Sequence, residues 1–161
     1  MIVRDFAPRD AAAVRAVLTA AFPTPAEADL TEQLRADGDA IIELVAANGD
    51  DIVGHILFSP LSAPFSALAL APVAVAPERQ GKGAGSALIE AGHDRARESG
   101  WDAIFLLGDP DYYARFGYSV EAARPFDSPY SGDYFMLLAL TDPLPAPAGE
   151  VAYAPAFAAL G

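Results

Sequence analysis

Apolar positions along this chain switch repeatedly between strand-like and helix-like spacing. MIVRDF opens with a short strand signal, and from Pro8 to Phe22 the residues Ala12, Val14, Val17, Leu18 and Ala21 recur at helical rather than alternating intervals. After Pro23-Thr24-Pro25, Ala26 to Ala36 repeats that spacing, with Leu30 and Leu34 one turn apart, until Asp37-Gly38-Asp39 ends it. AIIELVAA and DIVGHILFSP are β-rich runs separated by Asn48-Gly49-Asp50-Asp51; Asn-Gly is a hairpin signal, so the two are expected to pair antiparallel. ALALAPVAVAP predicts a further long strand. Its Pro72 has no N–H to give a central ladder, so an irregularity is expected there.

From Ser86 to Ser99, Leu88, Ile89, Ala91, Gly92 and Ala96 share one side, Arg95 and Arg97 occupy the last turns, and Gly100 follows as a stop. DAIFLLG reads as a buried strand, so strand, helix and strand over residues 67 to 108 predict a right-handed parallel crossover. Asp109 is placed to cap a short helix that starts at Pro110 and closes at Gly117. YSVEAA and DYFMLLAL are strand candidates. TDPLPAPAGEVAYAPAFAAL reads as a Pro- and Ala-rich tail lying along the surface of the same domain. The fold class is α/β in the broad (α+β) sense, with one domain over residues 1–140 and the tail over 141–161.

Composition narrows the chemistry. The chain has 161 residues, enough for one domain with a core of its own. It has no cysteine, which removes disulfides, thiolate metal sites and a cysteine nucleophile, and suits a cytoplasmic address. The two histidines, His55 and His93, have no ligand-spaced partner, so no metal is expected. A net charge of −12 without a basic patch argues against nucleic acid as a partner. The amino terminus gains charge at once, and no apolar run reaches the roughly eighteen residues of a membrane span, so none is expected.

One stretch asks for a ligand. Between the strand ending near Val75 and the helix at Ser86 stands Arg79-Gln80-Gly81-Lys82-Gly83-Ala84-Gly85, holding the chain's single lysine. A glycine loop running into a helix amino terminus offers a concave set of N–H donors to phosphate oxygens, reinforced by the helix dipole. A P-loop fails, because the lysine is followed by glycine. A dinucleotide fingerprint fits poorly, because Pro77-Glu78-Arg79-Gln80 separates the glycines from the strand.

Gln80-Gly81-Lys82-Gly83-Ala84-Gly85 satisfies the loop pattern Gln/Arg-x-x-Gly-x-Gly/Ala, and here the sequence resembles the GNAT N-acetyltransferase superfamily. Tyr113-Ala114-Arg115-Phe116-Gly117-Tyr118 matches that family's Tyr-x-x-Leu/Phe-Gly-Phe/Tyr pattern. EADLTEQLRADGD, VGHILFSPL and LLGDPDYYARFGY are similar to one bacterial branch whose substrates are mostly unassigned. The resemblance implies a mixed, mostly antiparallel sheet of about seven strands, with a splayed parallel pair and helices on both faces. It implies acetyl-CoA as co-substrate, held by Val73, Ala74, Val75, Gln80, Gly81, Lys82, Gly83, Ala84, Gly85 and Ser86. The implied reaction is direct acetyl transfer to a primary amine through a tetrahedral intermediate, with a small-molecule or peptide acceptor; a homodimer through the last strands or tail is compatible with it. A non-catalytic CoA-binding module of the same fold is the alternative, and a dinucleotide-binding domain ranks below it.

Tyr113 is the candidate acid or hydrogen-bond donor to the leaving thiolate, with Tyr112 competing for the inward position and a core aromatic role as the bland alternative. A backbone N–H near Val75 is the expected oxyanion donor. The base stays open among Glu27, Glu32, Glu43, His55 and Asp109, with a structural role favoured for His55 and a solvated position for His93. Phe22, Glu27, Glu32, Tyr130 and Tyr134 are the expected acceptor-pocket lining.

Overall fold

The computed structural model describes residues 1–160. Its strands are β1 (Ile2–Asp5), β2 (Ile42–Asn48), β3 (Asp51–Leu61), β4 (Ala67–Val75), β5 (Ala103–Leu107), β6 (Phe126–Asp127), β7 (Phe135–Ala139) and β8 (Gly149–Glu150). Six of them form one sheet in the order β1-β2-β3-β4-β5-β7, and β6 pairs with β8. Within the large sheet only β4 and β5 run parallel. The hairpin expected at Asn48-Gly49-Asp50-Asp51 is there, with Asn48 opposite Asp51.

The helices are α1 (Ala11–Ala21), α2 (Ala26–Ala36), α3 (Ala84–Glu98), α4 (Pro110–Tyr113) and α5 (Val120–Ala123). Side chains alternate along β2, and that alternation assigns the helices to faces. Leu44 and Ala46 pack with α3 through Leu88 and Ile89, whereas Val45 and Ala47 pack with Val14, Val17 and Leu18 of α1. The sheet is thus covered on both sides. α3 lies so close that a Cβ on Gly92 would fall 2.2 Å from the Phe58 ring.

Three expectations need correction. YSVEAA is not a strand: the Ser119 hydroxyl accepts from the Ala122 N–H and starts α5, leaving only an isolated bridge from Ser119 to Leu137. A capping serine before an alanine-containing run outweighs the β signal of Tyr118 and Val120. The main sheet accordingly has six strands. Within the tail, Pro155–Leu160 forms a 3-10 turn that buries Phe157 against Leu30 and Leu34 of α2.

His93, expected to be solvated, is 4% exposed and shares a 2.8 Å hydrogen bond with the Tyr118 hydroxyl. It belongs to the buried stripe Ala84, Leu88, Ile89, Gly92, His93 and Ala96, so its helical position outweighs its polar neighbours. Burial, aided by the nearby Arg97 charge, lowers its pKa to about 4. The unfolded imidazole binds a proton near pH 6.5 and the folded one does not, so stability falls as pH drops from about 6.5 toward 4. Between pH 7 and pH 5 the wild-type chain should lose about 2 kcal/mol more in denaturant unfolding than H93Q, which keeps only the contribution of the other groups. An equal loss in both proteins would contradict this account of His93.

Candidate active site

The site begins where the parallel pair comes apart. β4 pairs with β5 only over Ala67–Ala69, opposite Ala103–Phe105. Ile56 of β3 faces Val73 and Phe58 faces Leu70, so both Ala71 and Pro72 stand against the single residue Leu57. This is a bulge, at the proline that cannot donate to a ladder. Past it, Val73, Ala74 and Val75 stay on β3 and leave β5. The Ala76 N–H bonds the Val53 carbonyl at 2.8 Å, while the Val75 carbonyl instead accepts from Gln80 Nε2 at 3.1 Å. Peptide directions alternate along a strand, so Val73 and Val75 present their N–H and C=O groups to the opening.

A cleft of about 490 Å³ fills that opening. Val73, Ala74 and Val75 line one wall, and Gln80, Gly81, Gly83, Ala84, Gly85 and Ser86 line another. Gly81 and Gly83 hold φ of +78° and +90°, a left-handed backbone that side chains with a Cβ resist. Gly83 caps α3 with no side-chain hydrogen bond, and the Ala87 N–H is the first of that turn to bond back, to the Gly83 carbonyl. The N–H groups of Ala84, Gly85 and Ser86 are therefore free of intrahelical partners.

Side-chain charge is distributed differently from expectation. Lys82 is exposed and does not line the cleft, and the Gln80 amide is spent on Val75. Arg79 does line it, paired with Asp51 at 3.3 Å. So does Arg115, which the sequence reading missed; its guanidinium lies 4.7 Å from the centre of the Tyr112 ring. The signal was the three-residue spacing from Tyr112 to Arg115 in a predicted helical turn, which puts both on one face.

The adjacent tyrosines divide between two spaces. Tyr112 lines the first cleft beside Gly85, and Tyr113 lines a second cavity of about 430 Å³. Asp109 accepts from the Asp111 N–H and starts α4, which fixes the helical phase of both rings. Tyr113 packs against Gly108, where a Cβ would be 2.4 Å from its ring. Burial and the neighbouring Tyr112 push its phenol up to about 12. Val73 of the splayed strand lines both spaces.

Of the expected acceptor lining, Phe22, Glu27 and Tyr130 border the second cavity. Glu32 instead bonds Arg15 at 3.0 Å, and Tyr134 is 64% exposed; neither borders this cavity. Tyr153, Phe157 and Leu160 of the tail do border it, and were missed because an Ala/Pro-rich segment shows no period that would fix its face.

The candidate bases also separate. Glu43 holds Arg35 at 2.7 Å and His55 Nε2 at 2.7 Å; burial opposes its charge, but those two hydrogen bonds keep its carboxyl below the usual value. His55 is fully buried in that network and its pKa is lowered by burial, against the pull of Glu43. Asp109 serves as a cap. Only Glu27 of the five borders the second cavity.

The match to known proteins follows this geometry. Residues 11–118 match the family model described as "Acetyltransferase (GNAT) family". The chain belongs to the GNAT acetyltransferase family. It is 36% identical over 126 residues to the uncharacterized N-acetyltransferase YhbS of Escherichia coli K12, covering 76% of this chain and 75% of that one. The crystal structure of the GNAT family N-acetyltransferase YhbS from Escherichia coli in complex with CoA superposes with a TM-score of 0.90 at 30% identity, over 99% of this chain and 93% of that one. A GNAT family acetyltransferase from Brucella melitensis in complex with acetyl-CoA gives 0.83 at 35% identity, over 97% of each chain. Among the described residues, no helix of this GNAT chain is long and apolar enough to cross a membrane.

The seating of Tyr113 on Gly108 is open to direct test. G108A should cost about 1–3 kcal/mol by crowding the ring. In a Y113A background most of that penalty should vanish, as a double-mutant cycle in denaturant would read. Additive losses would show that the ring does not rest there.

Proposed function

We propose that the chain transfers an acetyl group from acetyl-CoA to a primary amine by direct attack. One observation carries the reading: the cleft ringed by free loop and helix N–H groups shares Val73 of the splayed strand with a second cavity bordered by Tyr113. Gly81 through Ser86 hold the diphosphate, with Arg115 and Arg79 adding charge. The Val73 C=O and the Val75 N–H, on the open edge, are offered to the amides of the coenzyme's extended arm, as a strand edge is to a docked peptide. The CoA-bound YhbS structure and the acetyl-CoA-bound Brucella structure support the choice of ligand.

In the reaction the neutral amine nitrogen bonds to the thioester carbonyl carbon, and the oxygen takes up negative charge. The Val73 N–H, on the residue that borders both spaces, is the oxyanion donor, one alternation from the Val75 expected on sequence grounds. Collapse then breaks the C–S bond, giving the amide and the CoA thiolate, and the proton released by the amine ends on sulfur. Burial holds the Tyr113 phenol up to about 12, so it keeps its proton in the site. Tyr113 therefore acts as a hydrogen-bond donor that follows the charge building on sulfur, not as the proton's source. No acyl-enzyme is invoked, since the chain has no cysteine.

The cysteine-free chain allows released CoA to be counted with a thiol reagent. Y113F should lower kcat by about 10–100-fold while leaving CoA affinity unchanged in calorimetry. R115A should weaken CoA binding about tenfold without such a fall in kcat. CoA binding with no thiol release across a broad amine panel would point to the non-catalytic module, and NAD binding in place of CoA to a dinucleotide domain.

A further inference from the structure

The second cavity is more selective than a general amine site needs to be. Among the described residues that line it, Glu27 alone carries a charge, and no arginine or lysine stands on its wall. Leu107 and Leu160 border it while remaining 44% and 42% exposed. Apolar surface facing a cavity marks a place that buries an apolar ligand. Tyr130 and Phe157 each meet the Tyr153 ring edge-on at 5.0 Å between centroids, which makes an aromatic wall.

Two polar atoms interrupt this lining. Glu27 Oε1 and the Tyr153 hydroxyl are shielded from water and have no hydrogen-bond partner among the described residues. Such groups are costly in a native protein unless a ligand supplies what they lack. Glu27 lines the cavity, so its carboxylate is the anionic group that a ligand there meets. The tail bounds one side: Phe157 packs with Leu30 and Leu34, and Tyr153, Phe157 and Leu160 line the cavity, narrowing the room for an extended peptide.

We propose that the acceptor is a compact primary monoamine on an aromatic or branched-alkyl body without an anionic group, drawn in as the ammonium by Glu27, where it gives its extra proton to solvent water before the neutral nitrogen attacks, with its body held by the Tyr130–Tyr153–Phe157 wall. The inference rests on the acetyl-transfer reading above. A carboxylate beside the amine would face Glu27 with no cation to offset it, and the second ammonium of a polyamine would lie unpaired among apolar side chains. The net charge of −12 favours the approach of a monocation.

The test uses the full chain saturated with CoA for equilibrium binding, and acetyl-CoA with thiol detection for turnover. Phenethylamine should bind and be acetylated with kcat/KM at least about tenfold above phenylalanine, spermidine and a phenylalanyl dipeptide. E27Q should lose the preference for phenethylamine over its neutral isostere 2-phenylethanol by about tenfold or more while binding CoA as before. The proposal is overturned if phenethylamine does not bind, if spermidine, phenylalanine or the dipeptide matches it, or if E27Q keeps the preference. Each of those results leaves acetyl transfer intact when some other amine releases thiol. Phenethylamine bound through Glu27 with no thiol release from any amine would sustain the recognition site and overturn the transfer reading instead.

Discussion

The architecture turns on a strand that keeps one neighbour and gives up the other. A strand inside a sheet ordinarily satisfies its peptide groups on both sides, and leaving several unpaired in the interior is costly. β4 does this from Leu70 onward on its β5 side, while its register with β3 holds through Val75. The bulge at Ala71 and Pro72 makes the separation local, because the proline removes a donor and the extra residue bends the strand. Without the opening, the glycine loop would present its amides to a closed sheet, and Val73 would not border both cavities.

The rest of the chain places chemistry around that opening. α3 brings its uncapped amino terminus to one end, anchored by the buried stripe from Ala84 to Ala96. α4, started by Asp109, sets the phase that sends Tyr112 to the coenzyme-side cleft and Tyr113 to the other cavity. The C-terminal turn packs on α2 and completes the second cavity. A chain of strongly negative net charge still collects Arg79 and Arg115 at the cleft, where an anion is expected.

How much of this was legible depends on whether a residue's role is written in local pattern. Gly81 and Gly83 were legible because their backbone conformation almost demands glycine, and Pro72 because a missing N–H is a property of the residue itself. Tyr113 was legible only as one of two, since which ring turns inward depends on the cap at Asp109 and on the space left by Gly108. His93 was misplaced because its polar neighbours outweighed a helical spacing that in fact continued through it. Tyr153, Phe157 and Leu160 reach the cavity through tertiary packing of an irregular segment, which no periodicity announces. The same limit applied to Glu32, whose helix was foreseen but whose side chain turned to Arg15 on the surface.

Amide NMR of the 15N-labelled chain, titrated with CoA, tests the central claim most directly. The account predicts downfield shifts at Gly81 and at Gly83 through Ser86, where N–H groups meet phosphate oxygens, together with slowed hydrogen exchange at Val73 and Val75. Saturable CoA binding that leaves those amides unmoved would contradict it.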